Sequence, residues 1–518
     1  MPERPMLTRA LLRTPGFGSR AGLIVPDAQR LDLPERAVQF GTGAFLRGFI
    51  DFFVDEANRR GEFNGRIVAI GSTGSGRDAR INDQDGLYTL SSRGLAGGEL
   101  HVEHRIVGSV SRALSATRDW DAVLECARNP ELRVVFSNTT EVGISLDNDD
   151  RDPDAAPPPS FPGKLTRFLL ERARAVNFDV ERGVVVVPCE LIEDNGDKLR
   201  EMVLTLAARW KLEPEFAEWL DMGVPFCNTL VDRIVPGAPP ADEAATLAQT
   251  LGYDDAMLTT AESYRLFAIE LPTTGGDFGG EVDIGDRLGF THADSGIVLA
   301  HDIAPYRLRK VRMLNGTHTI SVSLALLAGC ATVREAVEHE AVGRFIRRAL
   351  LDEIVAATEV PGGAQFARDV LDRFANPYIR HALVDITLQG TMKMRVRVVP
   401  SIIEYGERTR RVPVSLAFGF AAFLSYMRAD AADARRAAGE RVPADDHAAE
   451  VRAFWHDSDG SAQAIAAVAR RACGAASLWG ADLTAVPGFL DAVTEDLIRI
   501  QRDGVVAALD AHLAEVAV

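Results

Sequence analysis

Short apolar runs that stop at turn-forming residues most constrain the fold of the first part of the chain. They are residues 37–40 before Gly41, 66–70 before Gly71, 132–136 before Ser137 and Asn138, and 183–187 before Pro188. After the first run, residues 45–57 repeat apolar side chains at the spacing of an amphipathic helix. Strands that are apolar on both faces and alternate with helices are typical of a parallel sheet covered on both sides. The pattern therefore predicts an α/β domain built on such a sheet.

The second half of the chain has a different pattern. From about residue 305 onward Ala, Leu, Arg and Glu recur at helical spacing, as in residues 319–327, 333–352, 414–427 and 462–471. We predict a Rossmann-like N-terminal domain over residues 35–304, preceded by an arm over 1–34 and followed by a mainly α-helical domain over 305–518. The acidic, proline-rich segment 147–160 should be an exposed excursion with little packing of its own.

Charge and cysteine content narrow the class of protein. The formal net charge is -17, which argues against a nucleic acid or an anionic membrane as partner, because both repel an acidic protein. A local patch of Arg307, Arg309, Lys310 and Arg312 is too short to follow a polyanion and favours a small anion. The five cysteines show no C-x-x-C spacing, and neither a signal peptide nor a membrane span is evident. We therefore predict a cytoplasmic protein with reduced thiols.

A glycine pair follows the first predicted strand and opens the predicted helix. The segment consists of Gly41, Thr42, Gly43, Ala44, Phe45 and Leu46. Two glycines allow a tight turn and let backbone N–H groups approach a pyrophosphate, while the helix N-terminus favours negative charge. Leu46 stands where the usual motif has a third glycine, so we expect looser packing between helix and strand. A G-x-G pair also serves many ordinary turns, so the motif alone is weak.

The end of the second predicted strand lacks the acidic residue that usually binds the adenosine ribose. The run 71–77 contains hydroxyl side chains and Arg77 but no carboxylate. This leaves NADP open as a cofactor, since Arg77 could meet its extra phosphate. The alternative is that Arg77 is a solvated loop residue.

An amine, a carboxamide and an imidazole lie within nine residues of each other. If the segment is helical, Asn315 and His318 are neighbours on one face, and Lys310 lies about two turns before His318. Carbonyl reduction needs a proton donor and a hydrogen-bond donor to hold the developing alkoxide, and these side chains supply both. The alternative is a helix start with a surface lysine and an asparagine cap.

Metal-based and hydrolytic chemistry find little support in the sequence. His101 and His104 are three residues apart, but no Cys or carboxylate cluster completes a tetrahedral site. The sequence contains no H-E-x-x-H, G-x-S-x-G or G-K-[ST] motif. We therefore predict chemistry without a metal.

Several longer blocks resemble the mannitol dehydrogenase family, also called the polyol-specific long-chain dehydrogenases. The blocks are VQFGTGAFLRGFIDFF (38–53), QDGLYTL (84–90), FSNTTEVGI (136–144), FPGKLTRFLLER (161–172), PCELIEDNGDKLRE (188–201), CNTLVDRIVPG (227–237), KVRMLNGTH (310–318) and RFANPYIRH (373–381). The resemblance implies a Rossmann-type cofactor domain, a mainly helical second domain and an active site in the cleft between them.

The family pattern K-x4-N-x2-H falls on Lys310, Asn315 and His318. The resemblance implies that Lys310 is the general acid/base, Asn315 an oxyanion partner and His318 a ligand of a substrate hydroxyl. It also implies that Gly41 to Leu46 hold the pyrophosphate, with Asn138 and Thr139 near the nicotinamide ribose. The usual cofactor of the family is NAD.

One departure from the family pattern bears on the substrate. Mannitol-type members carry a second oxyanion asparagine after the Cys-acid pair, whereas here Cys189 and Glu190 are followed by Leu191, with Asn195 further on. The departure agrees with the branch that reduces the keto group of D-tagaturonate to D-altronate. A neutral polyol or fructuronate is the alternative substrate, and a non-catalytic dinucleotide-binding regulator or a helical interaction protein are the more distant ones.

A hexuronate needs a cation for its carboxylate. Lys393 and Arg397, with Arg395 between them, are the candidates, although the alternating Arg-Val run also fits a solvated strand face. The expected partner is this small molecule alone, and the sequence is compatible with a monomer or a homodimer.

Overall fold

The structure is a computed structural model that describes residues 4–516 except 20–21, 73–75, 140–142, 273–280 and 438. The chain divides into two compact units. The first comprises Met1–Arg93 and Leu100–Ile303, and the second comprises Gly94–Glu99 and Ala304–Val518.

The strands of the described residues are labelled in chain order. They are β1 (Leu23–Ile24), β2 (Glu35–Phe40), β3 (Arg66–Gly71), β4 (Tyr88–Ala96), β5 (Glu99–Val107), β6 (Val110–Ser115), β7 (Val134–Ser137), β8 (Val185–Pro188), β9 (Thr229–Asp232), β10 (Thr259–Glu262), β11 (Leu266–Glu270) and β12 (Ile297–Ala300). They form three sheets in the orders β1-β5-β4-β10, β12-β11-β9 and β6-β3-β2-β7-β8.

The five-stranded sheet is parallel throughout and contains the four strands that the sequence predicts. Phe40 at the end of β2 pairs with Ile70 of β3 on one side and with Ser137 of β7 on the other. The chain leaves β2 toward β3 and β6 first, and only later fills the other side with β7 and β8. The strand order therefore reverses between β2 and β7. Open α/β sheets bind their ligands at the carboxyl ends of the strands at such a switch point.

Alternate residues of these strands enter two different cores. Ala37 and Ala69 belong to the core on one face, and Val38 and Val68 to the core on the other. Both faces must therefore be apolar, which is why the strands read as continuous apolar runs rather than alternating ones. The confirmed α/β fold class follows from this pattern.

Helices of the first unit cover these sheets. They are Arg9–Leu12, Ala44–Arg47, Ile50–Arg60, Arg77–Asp83, Trp120–Arg128, Phe161–Ala175, Asn195–Arg209, Pro214–Gly223, Ala241–Leu251 and Glu281–Leu288, with short 3₁₀ turns at Phe17–Ser19, Ala28–Asp32 and Val180–Arg182. The single helix predicted over 45–57 is wrong in one respect, because it is broken at Gly48 and Phe49. A Cβ on Gly48 would lie 2.7 Å from Val235, so the chain approaches its neighbour closely at the break.

The second unit is helical apart from the hairpin tip Gly94–Glu99. Its α-helices are Ala304–Arg309, Gly316–Leu327, Val333–Glu338, Glu340–Arg348, Val355–Ala357, Gly363–Phe374, Leu383–Ile386, Gly390–Lys393, Val399–Thr409, Val414–Tyr426, Ala429–Ala437, Ala448–Ala453, Ala462–Cys473, Ala476–Trp479, Phe489–Asp503 and Val505–Val516, with a 3₁₀ turn at Leu483–Ala485. Among the described residues no helix combines the length and the apolar character that crossing a membrane requires.

Three segments of this unit are π-helical turns inserted into longer helices. They are Lys310–Asn315, Ala349–Ile354 and Met394–Val398. A π-helical turn holds one more residue than an α-helical turn and is common at functional sites. Two of the three contain or adjoin the residues that the sequence singles out as chemical candidates.

Candidate functional site

The first candidate site, in the first unit, is the turn between β2 and the short helix Ala44–Arg47. Gly41 has φ +144°, and a Cβ there would lie 2.7 Å from Leu46 Cδ1 and 3.3 Å from the carbonyl oxygen of Asn138. Leu46 is buried. The prediction that Leu46 loosens the packing is therefore wrong, because its side chain fills the space beneath Gly41.

A pocket of about 750 Å³ opens in front of this turn. Its walls are Gly41, Thr42 and Gly43, the end of β3, the end of β7 and parts of the segment 143–164. The pocket thus lies at the carboxyl ends of β2 and β7, at the switch point of the sheet. Among the described residues a Cβ on Gly43 would meet nothing within 4 Å, so this residue faces open space there.

The end of β7 is held by a buried carboxylate. Glu190 accepts hydrogen bonds from the Ser137 hydroxyl at 3.1 Å and from the Thr139 backbone N–H at 2.9 Å. Burial raises the pKa of Glu190, and the Thr139 N–H partly opposes that shift. Asn138 donates from Nδ2 to the carbonyl oxygen of Cys189 at 2.7 Å. Asn138 and Thr139 line the pocket, and both are held there by the two residues that follow β8.

Ser72, which follows β3, and Arg77, the first residue of the next helix, line the same pocket. The nearest acidic side chain along the chain, Asp78, is buried and forms an ion pair with Arg118 at 2.6 Å. Residues 73–75 lie outside the described residues. Arg77 is therefore both exposed and part of the pocket wall, a combination of the two alternatives that the sequence leaves open.

The segment 147–160 is mostly exposed, as predicted, but it does have an anchor of its own. Asp150 is fully buried, and its carbonyl oxygen accepts a hydrogen bond from Trp210 Nε1 at 3.0 Å. Ser160 caps the helix Phe161–Ala175 by accepting from the Gly163 N–H. Lys164, in the first turn of this helix, lines the pocket, so the segment forms one of its walls.

A second candidate site lies in the other unit, on the helix that runs from Ala304 to Leu327 through the π-helical turn Lys310–Asn315. In a regular α-helix, Lys310 and His318 would differ by about 80° around the axis. The extra residue of the π turn brings Lys310 back to within about 20° of His318. Asn315 has helical dihedral angles and lies inside this run, so the alternative of an N-terminal cap is wrong.

His318 lies among aromatic and cationic side chains. Its ring stacks on Phe374 at 4.0 Å between centroids and meets the ring of His381 edge-on at 5.2 Å. Burial lowers the pKa of His318 well below its usual value, and His381, Arg373, Arg397 and Lys393 lower it further. The imidazole is therefore neutral, and it can accept or donate one hydrogen bond at each nitrogen.

The run 393–397 is helical, so the alternative of a solvated strand face is wrong. Lys393 and Arg397 both lower the pKa of His318, whereas Arg395 is exposed and lies against Gly480. Lys393 donates from Nζ to the carbonyl oxygen of Ile386 at 3.0 Å, which leaves two of its three donors for another acceptor. Both Lys393 and Arg397 have pKa values lowered mainly by burial.

Arg373 and His381 were not among the candidate residues predicted from the sequence, and the structure places both beside His318. Both stand in the block RFANPYIRH, whose density of cationic side chains was the available indication. The anion patch predicted over 307–312 is only partly correct. Arg312 is buried and pairs with Glu404 at 2.8 Å, and Arg309 donates to the carbonyl oxygen of Pro361.

The position that departs from the mannitol-type pattern is exposed. Leu191 has 65% of its surface accessible. Asn195 does not replace the missing amide there, because its Nδ2 is buried and donates to Pro188, Glu190 and Thr229. Asn195 therefore joins β8 to β9 rather than facing a ligand.

Family comparison agrees with both halves of this geometry. Residues 35–277 match the mannitol dehydrogenase Rossmann domain, and residues 302–501 match the mannitol dehydrogenase C-terminal domain. The chain belongs to the mannitol dehydrogenase family. Membership makes it an oxidoreductase of the dehydrogenase class, and the resemblance read from the sequence is confirmed.

Relatives within this family cover nearly the whole chain. An altronate oxidoreductase of Bacillus subtilis (strain 168) is 42% identical over 482 residues, which is 92% of this chain and 95% of that protein. An altronate oxidoreductase of Yersinia pestis is 38% identical over 485 residues, 92% of this chain and 97% of that protein.

Two solved structures share the fold. A substrate-free D-sorbitol dehydrogenase matches with a TM-score of 0.74 at 23% identity, covering 97% of this chain and 100% of the other. The Pseudomonas fluorescens mannitol 2-dehydrogenase complex with NAD and D-mannitol matches with a TM-score of 0.62 at 22% identity, covering 98% and 100%.

Proposed function

We propose that the chain reduces the keto group of D-tagaturonate to the alcohol of D-altronate, reversibly, with a nicotinamide dinucleotide. The observation that carries the proposal is the set of cationic side chains around His318, eight residues after Lys310 on the same helical run. A carbonyl-reducing trio beside several cations suits a substrate that bears both a keto group and a carboxylate. The altronate oxidoreductase relatives support the same reaction.

The pocket of the first unit suits the dinucleotide. Within the described part of the chain, the backbone N–H groups of Thr42 and Gly43 donate to no protein acceptor, so they remain available to a pyrophosphate. Gly41 to Leu46 would hold that group, and Asn138 and Thr139 the nicotinamide ribose. When bound, the nicotinamide supplies or accepts the hydride. NAD is the proposed cofactor, with NADP as the alternative that Arg77 leaves open.

The proton steps belong to side chains of the second unit. Lys310 protonates the substrate oxygen during reduction and removes that proton in the reverse direction. The Asn315 amide donates a hydrogen bond to the same oxygen and so stabilises its negative charge as it develops. His318, kept neutral by burial and by its cationic neighbours, binds an adjacent substrate hydroxyl.

The carboxylate of the substrate determines which sugars the protein accepts. Lys393 and Arg397 would bind it through charge-assisted hydrogen bonds, which are about twice as strong as neutral ones. Tagaturonate and fructuronate both carry this group, whereas fructose and mannitol lack it. A neutral sugar would bring no anion to Arg397, whose pKa burial lowers, and buried charges are costly when they have no partner.

A substrate panel tests the proposal. The purified chain is given tagaturonate, fructuronate and fructose, each with NADH and with NADPH, and the absorbance of the reduced nicotinamide is followed. We expect the highest kcat/KM for tagaturonate with NADH. Faster reduction of fructose than of either uronate would contradict the carboxylate assignment. No oxidation of either cofactor with any of the three would favour a dinucleotide-binding regulator.

A further inference from the structure

Two buried side chains hold the carbonyl groups of the glycine turn from beneath. Gln39, at the end of β2, donates from Nε2 to the carbonyl oxygen of Gly41 at 3.2 Å. Arg47, in the short helix that follows, donates from Nη1 to the carbonyl oxygen of Thr42 at 2.6 Å. Gln39 is fully buried and Arg47 is 7% exposed. Both side chains therefore lie on the protein side of the turn.

These contacts also determine where the N–H groups of the turn point, because each C=O and the N–H of the same peptide have a fixed relation. The C=O and N–H of a trans peptide point in opposite directions. If the oxygens of Gly41 and Thr42 are held toward the interior, the N–H groups of Thr42 and Gly43 point the other way. Thr42 and Gly43 both line the pocket, and in the described residues neither N–H has a protein acceptor.

We propose that Gln39 and Arg47 are positioning residues that aim these two amides at the pyrophosphate of the dinucleotide. The inference rests on the cofactor role proposed above for this pocket. Neither side chain needs to touch the ligand, since each acts through the peptide whose oxygen it binds. The buried guanidinium also places a positive charge behind the turn, which favours an anion in front of it.

Neighbouring groups fix Arg47 in this orientation. Its Nε donates to the Thr259 hydroxyl at 3.3 Å. The Tyr88 hydroxyl lies 2.8 Å from the carbonyl oxygen of Arg47 and 2.9 Å from Asp51 Oδ2. Burial raises the pKa of Asp51 to about 7, although the Tyr88 hydrogen bond and Arg47 both oppose the shift. The turn thus rests on a buried polar network rather than on apolar packing alone.

A second buried arginine provides a matched control. Arg66 is 3% exposed and donates to the carbonyl oxygens of Leu31 and Gly108 at 2.6 and 3.1 Å, and also to that of Val110. It holds backbone oxygens as Arg47 does, in the same unit, but it does not line the pocket. Loss of either arginine should destabilise the unit, whereas only loss of Arg47 should disturb the turn.

Calorimetric binding of ADP and of adenosine to the full-length protein tests the inference, because only ADP carries the pyrophosphate. The variants are Arg47→Met, Arg47→Lys, Gln39→Met and Arg66→Met. We expect Arg47→Met to weaken ADP at least about tenfold and adenosine less than about twofold, and Gln39→Met to weaken ADP alone by a smaller factor. Arg47→Lys should recover part of the ADP affinity, and Arg66→Met should lower the melting temperature while leaving ADP binding unchanged.

Equal weakening of ADP and adenosine by Arg47→Met would overturn the inference, because it would indicate general loss of structure. An ADP affinity in Arg66→Met as low as that in Arg47→Met would do the same. If Arg47→Met gives no folded protein, Gln39→Met decides, and unchanged ADP binding in that variant refutes the inference. Failure of the wild-type chain to bind ADP or either dinucleotide would instead refute the proposed cofactor role itself.

Discussion

The candidate sites of the two units are built from different chemical groups. The pocket of the first unit presents mainly backbone, at Gly41 to Gly43 and at the ends of β3 and β7. In the second unit the candidates are side chains, namely Lys310, Asn315 and His318 on one helical run, with cations around His318. Backbone groups are common to every sequence, so the first site depends on conformation, whereas the second depends on residue identity. Substitutions should therefore act differently in the two units.

The largest expected effect is in the side-chain site, at Lys310. Lys310→Ala should lower kcat by about 10²–10⁴-fold, the scale of a lost general acid, while ADP binding to the other unit stays the same. Steady-state kinetics and calorimetry on the same preparation measure both. Lys198→Ala, which removes an exposed lysine of the first unit, is the control and should keep full activity. A kcat within about threefold of wild type in Lys310→Ala would show that the lysine is structural.

The next effect should appear in substrate affinity. Arg397→Met removes one charged hydrogen bond to the carboxylate, worth about 1.5–3 kcal/mol, and should raise KM for tagaturonate by about 10- to 100-fold. The matched control is Arg395→Met on the same π-helical turn, whose side chain is exposed and lies against Gly480. Equal KM values for the two variants would remove Arg397 from the carboxylate site.

The sequence predicted the strands of the first unit well where both faces of the strand are buried in the parallel sheet. Four parallel strands were identified because both of their faces are buried, as in residues 66–70. The fifth strand, β6, was missed because Ser111 and Arg112 interrupt its apolar run. Arg112 lies at the sheet edge and pairs there with Glu35 at 2.8 Å. Edge strands tolerate polar residues, so an apolar run does not mark them.

The family pattern in the sequence singled out Lys310, Asn315 and His318, but the sequence did not predict the π-helical turn at Lys310–Asn315. Regular helical spacing does not place Lys310 and His318 in line, and the π-helical turn that does so has no simple composition signature. Arg373 and His381 were missed for a related reason, since they reach His318 only through tertiary packing. Leu46 stands where the usual motif has a third glycine. Its side chain fills the space beneath Gly41, so the missing glycine does not loosen the packing.

A smaller effect is expected at Gly43. It should show whether this glycine is needed for the conformation of the turn or for the space that a ligand occupies. Gly43→Ala adds a Cβ that meets no atom of the described residues within 4 Å, so stability should change by less than about 0.5 kcal/mol. Gly43 lines the pocket, so the added methyl should hold the ligand away from the turn, and we expect ADP affinity to fall by about tenfold, the loss of one charged hydrogen bond. Thermal unfolding and calorimetry measure the two quantities.

Gly41→Ala is the companion variant, because its Cβ would lie 2.7 Å from Leu46 and the residue has φ +144°. This variant should lose both stability and ADP binding. A Gly43→Ala protein that is as destabilised as Gly41→Ala would contradict the view that Gly43 faces a ligand.

The smallest expected effect is the pH dependence of stability that His318 confers on the second unit. The folded-state pKa of His318 lies well below 6.5, so between that value and about 6.5 the unfolded chain binds more protons than the folded one. Stability is therefore lost as pH falls below about 6.5, by at most about 1.4 kcal/mol per pH unit.

His318→Gln removes this titration while keeping a hydrogen-bonding side chain. On lowering the pH from about 7.5 to about 5.5, wild type should lose about 1 kcal/mol more of its free energy of unfolding than the variant does. Urea unfolding at each pH, followed by a probe in the second unit, measures the difference. His456→Gln, which replaces an exposed histidine, should follow wild type. If wild type and His318→Gln show parallel pH profiles, then His318 is protonated as readily in the folded chain as in the unfolded one, and the neutral imidazole assigned to substrate binding must be given up.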